Sequence, residues 1–129
     1  MIKINRIHHI AIICKDYEKS KQFYTHVLGF KIEQEVFRKE RSSFKLDLSL
    51  KGQYVIELFS FPNPPKRLSR PEGTGLRHLA FEVDNLQENI DLLAELGVVS
   101  EPVRVEEMTK KKFTFFSDPD DLPIELYER

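Results

Sequence analysis

The chain is poor in the features that mark secreted, membrane or nucleic-acid-binding proteins. It has a single cysteine, Cys14, in 129 residues. That excludes an intrachain disulfide and fits a reducing compartment. No apolar run approaches the roughly 18 residues that a membrane helix needs, and the start carries no signal-like apolar region. The formal net charge is −1. The basic runs, Lys110-Lys111-Lys112 and Lys66-Arg67, are too short for a phosphate track and read as solvated loop or rim. A cytoplasmic protein is therefore expected, with no nucleic acid and no membrane as partner. Proline is scarce except in one place: of seven in the chain, Pro62, Pro64, Pro65 and Pro71 fall within ten residues. With 40% apolar and 32% charged residues, the composition is that of one globular domain, or of two half-domains sharing a core.

What is present is a duplication. His8-His9-Ile10-Ala11-Ile12 is followed by Glu57-Leu58-Phe59, with Glu57 48 positions after His9. Arg77-His78-Leu79-Ala80-Phe81 is followed by Glu125-Leu126-Tyr127, with Glu125 47 positions after His78. The apolar run Ile7 to Cys14 reads as a strand. Asp16 then caps an amphipathic helix with Tyr17, Ser20, Phe23, Tyr24, Val27 and Leu28 on its apolar face. Gly29 stops that helix. Phe30 to Phe37, Phe44 to Leu50 and Tyr54 to Phe61 read as three further strands, with Gly52 turning the chain between the last two. In the second half, Leu76 to Val83 is a strand. Asp84 is expected to cap the next helix, with Gln87 completing a capping box. Leu86, Ile90, Leu93 and Leu96 form its stripe, and Gly97 ends it. Val98 to Val105, Lys112 to Phe116 and Leu122 to Tyr127 complete the set as strands.

Gly29 and Gly97 are 68 apart, as are Glu57 and Glu125, while His9 and His78 are 69 apart. The expected organisation is a single 1–129 domain of class α+β. Two tandem βαβββ modules, 1–61 and 74–129, flank a proline-stiffened linker, 62–73.

The register selects the functional histidines. Period-two alternation places His9, Ala11 and Ile13 on one strand face, and His8 on the other. Alignment of the repeats pairs His9 with His78, and His8 with Arg77. A Glu inside an apolar strand is costly unless something pairs with it. Glu57 is the only charge in its strand, and Glu125 sits between Ile124 and Leu126. Two His and two Glu converging on one cation would offset that cost. Imidazole nitrogen and carboxylate oxygen suit Zn, Ni, Fe, Co or Mn. Four ligands in an octahedral sphere leave two positions for water or a chelating substrate. His26 has no repeat partner and reads as a surface residue. Cys14 reads as a packed thiol, Asp118-Pro119-Asp120-Asp121 as a turn, and Arg67, Arg70 and Arg77 as solvated. Phe113, Phe115 and Phe116 are expected to form core or pocket wall.

Together these marks resemble the vicinal oxygen chelate superfamily, also called the glyoxalase/bleomycin-resistance/dioxygenase group. His9 stands seven residues before Asp16, and Ser20, Phe23, Tyr24, Leu28, Gly29 and Phe30 follow. Gly75-x-x-His78-Leu79-Ala80-Phe81 and Asp118-Pro119-Asp120, seven residues before Glu125, complete the pattern. The run Gly52 to Pro62 is similar to the YaeR-type branch of that family. The resemblance implies an incomplete barrel around one divalent metal, with His9, Glu57, His78 and Glu125 as ligands. It implies glyoxalase I-type chemistry: a lyase or isomerase that forms an enediolate from a small vicinal-oxygen substrate, with Glu125 or Glu57 as base. It also implies a homodimer whose metal sites each draw on two subunits. Where glyoxalase I has an Arg and an Asn that grip glutathione, this chain has Ile13 and Phe61, which argues against glutathione as carrier. Two rival readings of the same fold are an Fe(II)-dependent dioxygenase and a small-molecule (antibiotic) binding or resistance protein.

Overall fold

A computed structural model describes every residue, Met1–Arg129. Contacts divide the chain between Pro65 and Lys66, inside the proline-rich stretch, into units Met1–Pro65 and Lys66–Arg129. In the first unit, β1 (Ile10–Cys14) leads into α1 (Tyr17–Gln22) and a π-helical turn, Phe23–Val27. Then come β2 (Lys31–Arg38), β3 (Ser43–Leu50) and β4 (Gln53–Ser60). The second unit has β5 (Leu79–Val83), α2 (Leu86–Glu95), β6 (Arg104–Val105), β7 (Lys112–Ser117) and β8 (Pro123–Glu128). Each unit holds one open four-stranded sheet, in the orders β1-β4-β3-β2 and β5-β8-β7-β6. The first strand of each runs parallel to the last, and the remaining pairs are antiparallel. The class is α+β, and the order of elements repeats as expected.

Alternation separates a packed face from a site face in each sheet. In the first unit Ile12, Cys14, Leu46, Leu48, Ile56 and Leu58 are buried, together with Tyr17, Phe23 and Tyr24 of the helical segment, and α1 packs on β4. In the second, Leu79, Ile124 and Leu126 are buried with Leu86 and Leu93 of α2, which packs on β8. Cys14 is packed in this core, as its place in the sequence suggests.

The one-residue slip between the repeats has a structural origin. The helix caps Asp16 and Asn85 are 69 apart, whereas Gly29 and Gly97 are 68 apart. The extra residue therefore lies within the first helical segment. There the backbone widens into the π turn, with the Leu28 N–H bonded to the Phe23 carbonyl at 3.1 Å. α2 has no such insertion. It ends in a Schellman motif, with Val98 N–H on the Leu93 carbonyl and Gly97 N–H on the Ala94 carbonyl. Gly29 and Gly97 both lie at φ near +77°, at 77° and 78°, a conformation that glycine adopts without Cβ strain.

Three expectations need correction. The cap of α2 is Asn85, not Asp84: its side chain accepts from the Glu88 N–H at 3.0 Å. Asp84 instead lies 3.6 Å from Arg129 Nη1, and Gln87 pairs with Asp91 rather than closing a capping box. The strand expected over Val98 to Val105 shrinks to Arg104–Val105. Pro102 has no N–H to give a ladder, so the chain beside β7 is held by isolated bonds. These join Glu101 N–H to the Phe115 carbonyl, and Thr114 Oγ1 to the Glu101 carbonyl. Finally, β1 and β5 begin after His9 and His78, not before them.

Helix and sheet edge are also joined through polar groups in the first unit. The Tyr17 hydroxyl donates to Glu35 on β2, and Lys21 Nζ lies 2.7 Å from the same carboxylate. The Lys21 hydrogen bond, then the Tyr17 one, holds the Glu35 carboxyl below its ordinary value; burial, then Glu35, raises the Tyr17 phenol. A lowered carboxylate pKa contributes stability above the ordinary Glu value of about 4.3 and loses it as pH falls through the folded value. Glu35→Gln should therefore flatten the acid limb of a Tm-against-pH curve. An unchanged acid limb would show that this contact adds nothing.

Candidate metal centre

In each unit, the parallel pairing of first and last strands brings a His to a Glu. Ala11 on β1 is opposite Glu57 on β4, so His9, two residues earlier, shares the face of that carboxylate. Its Nε2 lies 3.9 Å from Glu57 Oε1. Ala80 is likewise opposite Glu125, and His78 Nε2 lies 3.0 Å from Glu125 Oε2. Both carboxylates are mostly covered, with side chains 15% and 14% exposed, while the imidazoles remain about one-third open, at 35% and 31%. The structure thus assembles His9 with Glu57 and His78 with Glu125. Neither unit gathers three or more His, Cys, Asp or Glu groups that could hold a metal ion.

The donor chemistry of these pairs suits a divalent cation. Two ligands each about 2.1 Å from a metal and at right angles stand about 3.0 Å apart. The His78–Glu125 separation matches that span, and the His9–Glu57 separation needs a small side-chain shift to reach it.

The surroundings of the two pairs differ, which the repeat alone does not reveal. Glu57 is held by two groups at one oxygen. The Tyr54 hydroxyl donates to its Oε2 at 3.0 Å, and Lys45 Nζ lies 3.5 Å from the same oxygen. Lys45 and Tyr54 also reach Asp47, at 2.8 and 3.2 Å. Burial, followed by the bond to Glu57, pushes the Tyr54 phenol above its usual range, so it stays a donor. The hydrogen bond to Asp47 raises Lys45, which stays charged. His9 stacks on the Tyr54 ring at 5.3 Å, and its Nδ1 lies 2.8 Å from His8 Nδ1. If His9 Nε2 presents a lone pair, its Nδ1 carries the proton and His8 Nδ1 accepts it, an arrangement usual for metal-ligating histidines.

Around the second pair these polar groups are replaced by carbon. Phe115 occupies the place opposite Glu125 that Asp47 occupies opposite Glu57. Its ring meets His78 edge-on at 5.1 Å. Phe113 and Phe115 are thus wall residues on the site face, while Phe116 is core. Glu125 has His78 as its polar partner. Tyr54, Lys45 and Asp47 escape a reading of the sequence because their convergence depends on the β3–β4 register. Only the Lys45-x-Asp47 alternation in β3 hints at a polar face.

The remaining sequence candidates are tied down elsewhere. Arg67 bonds Ser69 and the Leu76 carbonyl, Arg70 forms a two-pronged pair with Asp121, and Arg77 meets Glu72. The Asp118 carboxylate shapes the turn, accepting from the Asp120 and Leu122 N–H groups.

Each unit thus carries one open mixed sheet with a His before its first strand and a Glu inside its last, a repeated βαβββ fold class. The chain belongs to the Glyoxalase/Bleomycin resistance protein/Dioxygenase superfamily, which it matches over residues 6–126. It is 62% identical over 126 residues to the uncharacterized protein YwkD of Bacillus subtilis, covering 98% of each chain. To the uncharacterized protein YaeR of Escherichia coli it is 56% identical over 129 residues, with both chains covered in full (100%). Among solved structures, a glyoxalase family protein from Enterococcus faecalis superposes with a TM-score of 0.89 at 48% identity, over 95% of this chain and 97% of that one.

Proposed function

We propose that the chain is a divalent-metal-dependent lyase or isomerase of glyoxalase I type. Its substrate would be a small compound with oxygens on adjacent carbons. The observation that carries this reading is the repeated His–Glu pair, at 3.9 and 3.0 Å, on the two site faces. His9, Glu57, His78 and Glu125 would hold the ion, which could be Ni, Zn, Co, Mn or Fe. The ion would act as a Lewis acid that favours negative charge on the two substrate oxygens.

The protein's own part is to orient and to move one proton. Tyr54 and Lys45 pin Glu57 in place, so it serves as a fixed ligand. Glu125 has no such tether and is the carboxylate that would loosen from the ion to act as base. It takes the proton from the carbon beside the carbonyl, leaving an enediolate, and returns it to the neighbouring carbon. One C–H bond breaks and one forms, while the hydroxyl proton of the first carbon passes to the oxygen of the second, so no redox partner is needed. Phe113 and Phe115 beside Glu125 keep water from competing for that proton.

Turnover of hemithioacetals made from several thiols, with Ni, Co, Mn or Zn added, tests the reading. Activity above background with at least one metal and thiol is expected, and its absence across the panel would sink the proposal. Two further outcomes follow. Tyr54→Phe and Lys45→Met each loosen Glu57, and each should weaken metal binding about 10–100-fold in chelator competition. The four donors are proposed to come from two copies of the chain. A variant carrying His9→Ala with Glu57→Ala, mixed with one carrying His78→Ala with Glu125→Ala, should regain about a quarter of wild-type activity through one intact site per mixed dimer. No recovery would place each site within a single chain.

A further inference from the structure

We propose that Arg38 is the anchor for a carboxylate carried by the substrate, on the same sheet face as His9 and Glu57. The position follows from the register. Arg38 on β2 is opposite Ser43, Lys45 on β3 is opposite Phe59, and Asp47 is opposite Glu57. Odd-numbered residues of β3 and β4 share one face here, and Arg38 joins that face through its partner Ser43. Its guanidinium lies over Phe59, 4.7 Å from the ring centre, and reaches Phe61 at 5.9 Å. The two rings are themselves stacked at 5.9 Å, so they form a flat platform beneath it.

The charge of Arg38 lacks a protein anion. Its side-chain hydrogen bond runs from Nη2 to Ser43 Oγ at 3.1 Å, and its Nε is buried with no acceptor. A partly buried cation held without a counter-ion is costly, and that cost falls when an anion arrives. The other unit offers a direct contrast. Arg104 lies over Phe113 and Phe115 at 5.5 and 5.3 Å, but Glu101 meets it at 2.5 Å. An Arg over two Phe rings is thus neutralised in the second unit, where the rings meet at 88°, and left open in the first, where they lie 18° from parallel. Lys45 does not serve in place of Arg38, because Asp47 and Glu57 already engage it.

The open edge of a guanidinium fork matches a planar carboxylate. A single unpaired charge suits a monoanion, and the Phe59–Phe61 platform suits a short alkyl or thioether stem beside it. Phe59 is opposite Ile13 on β1, so the platform adjoins Ile13 and ends at Phe61. Arg38 supplies a cation to the same patch from a different strand.

That the carboxylate belongs to the substrate rests on the function proposed above; the anion site itself does not. In full-length 15N-labelled protein, with and without Zn(II), acetate should shift the Arg38 Nε–H signal and the Phe59 and Phe61 amides saturably. That Nε–H signal is assigned by its loss in Arg38→Lys. Acetamide, or chloride at equal ionic strength, should leave all three unmoved. A non-saturable response to acetate, or an equal response to acetamide, overturns the proposal. In turnover, Arg38→Gln should raise KM about ten-fold for the hemithioacetal of 3-mercaptopropionate. It should leave KM for that of 3-mercaptopropanol, and both kcat values, within about two-fold. Equal losses on both substrates would mean a structural role and also overturn it. If neither compound is turned over, the acetate titration decides the anion site alone, and the glyoxalase-type reading is decided by the full panel of metals and thiols.

Discussion

Glu125→Gln should cut kcat by about 10²–10⁴-fold, the range associated with losing a positioned general base. The amide keeps the shape of the carboxylate but accepts no proton at neutral pH. Glu125 is mostly covered and has only His78 Nε2, at 3.0 Å, as a polar partner, so little else in the fold depends on its charge. The variant should melt close to the wild type, which separates lost chemistry from lost folding. Glu57→Gln should behave differently. It removes the negative charge that faces Lys45 and leaves a weaker metal ligand, so it should lower metal affinity first and turnover as a consequence. Metal titration alongside single-turnover kinetics distinguishes the two. If Glu57→Gln loses turnover while keeping full metal affinity, and Glu125→Gln turns over normally, the roles assigned to the two carboxylates are reversed.

The second large effect is on stability. Leu58 is fully buried in β4, between Leu46 on β3 and Ile12 on β1. Leu58→Ala should cost about 2–5 kcal/mol through lost burial and the cavity left behind. Against a total of about 5–15 kcal/mol for a typical domain, that is enough to melt the first sheet at moderate temperature. Because Leu58 is next to Glu57, the His9–Glu57 pair should loosen with it, and weaker metal binding should accompany the lower Tm. A Tm within a degree or two of wild type would mean that this layer contributes far less than its burial suggests.

Most strands were legible because their apolar residues alternate with polar ones between strong turn signals. The failures cluster where local signals compete. Asp84 and Asn85 are both good caps, and only the backbone shows that Asn85 takes the position. Val98 to Val105 is rich in β-formers, but Pro102 withholds the donor that a ladder requires. The π turn was visible only as an unexplained slip of one residue between histidine and glycine spacings. Its cause lies in backbone hydrogen bonding at Phe23 and Leu28, which no side-chain pattern encodes.

The sequence by itself determined the duplication, the α+β class and the candidate set His9, Glu57, His78 and Glu125. Periodicity and repeat spacing are local properties, and they suffice to place a His and a Glu on matching faces in each half. Tertiary structure alone decided how unlike the two pairs are. Tyr54, Lys45 and Asp47 surround Glu57 because β3 pairs with β4 in one particular register, and a shift of one residue would turn Lys45 and Asp47 to the opposite face. Arg38 reaches the Phe59–Phe61 platform for the same reason, two strands away from the residue that it would serve beside. Such contacts depend on side chains far apart in the chain, so their chemistry appears only once the sheet has formed.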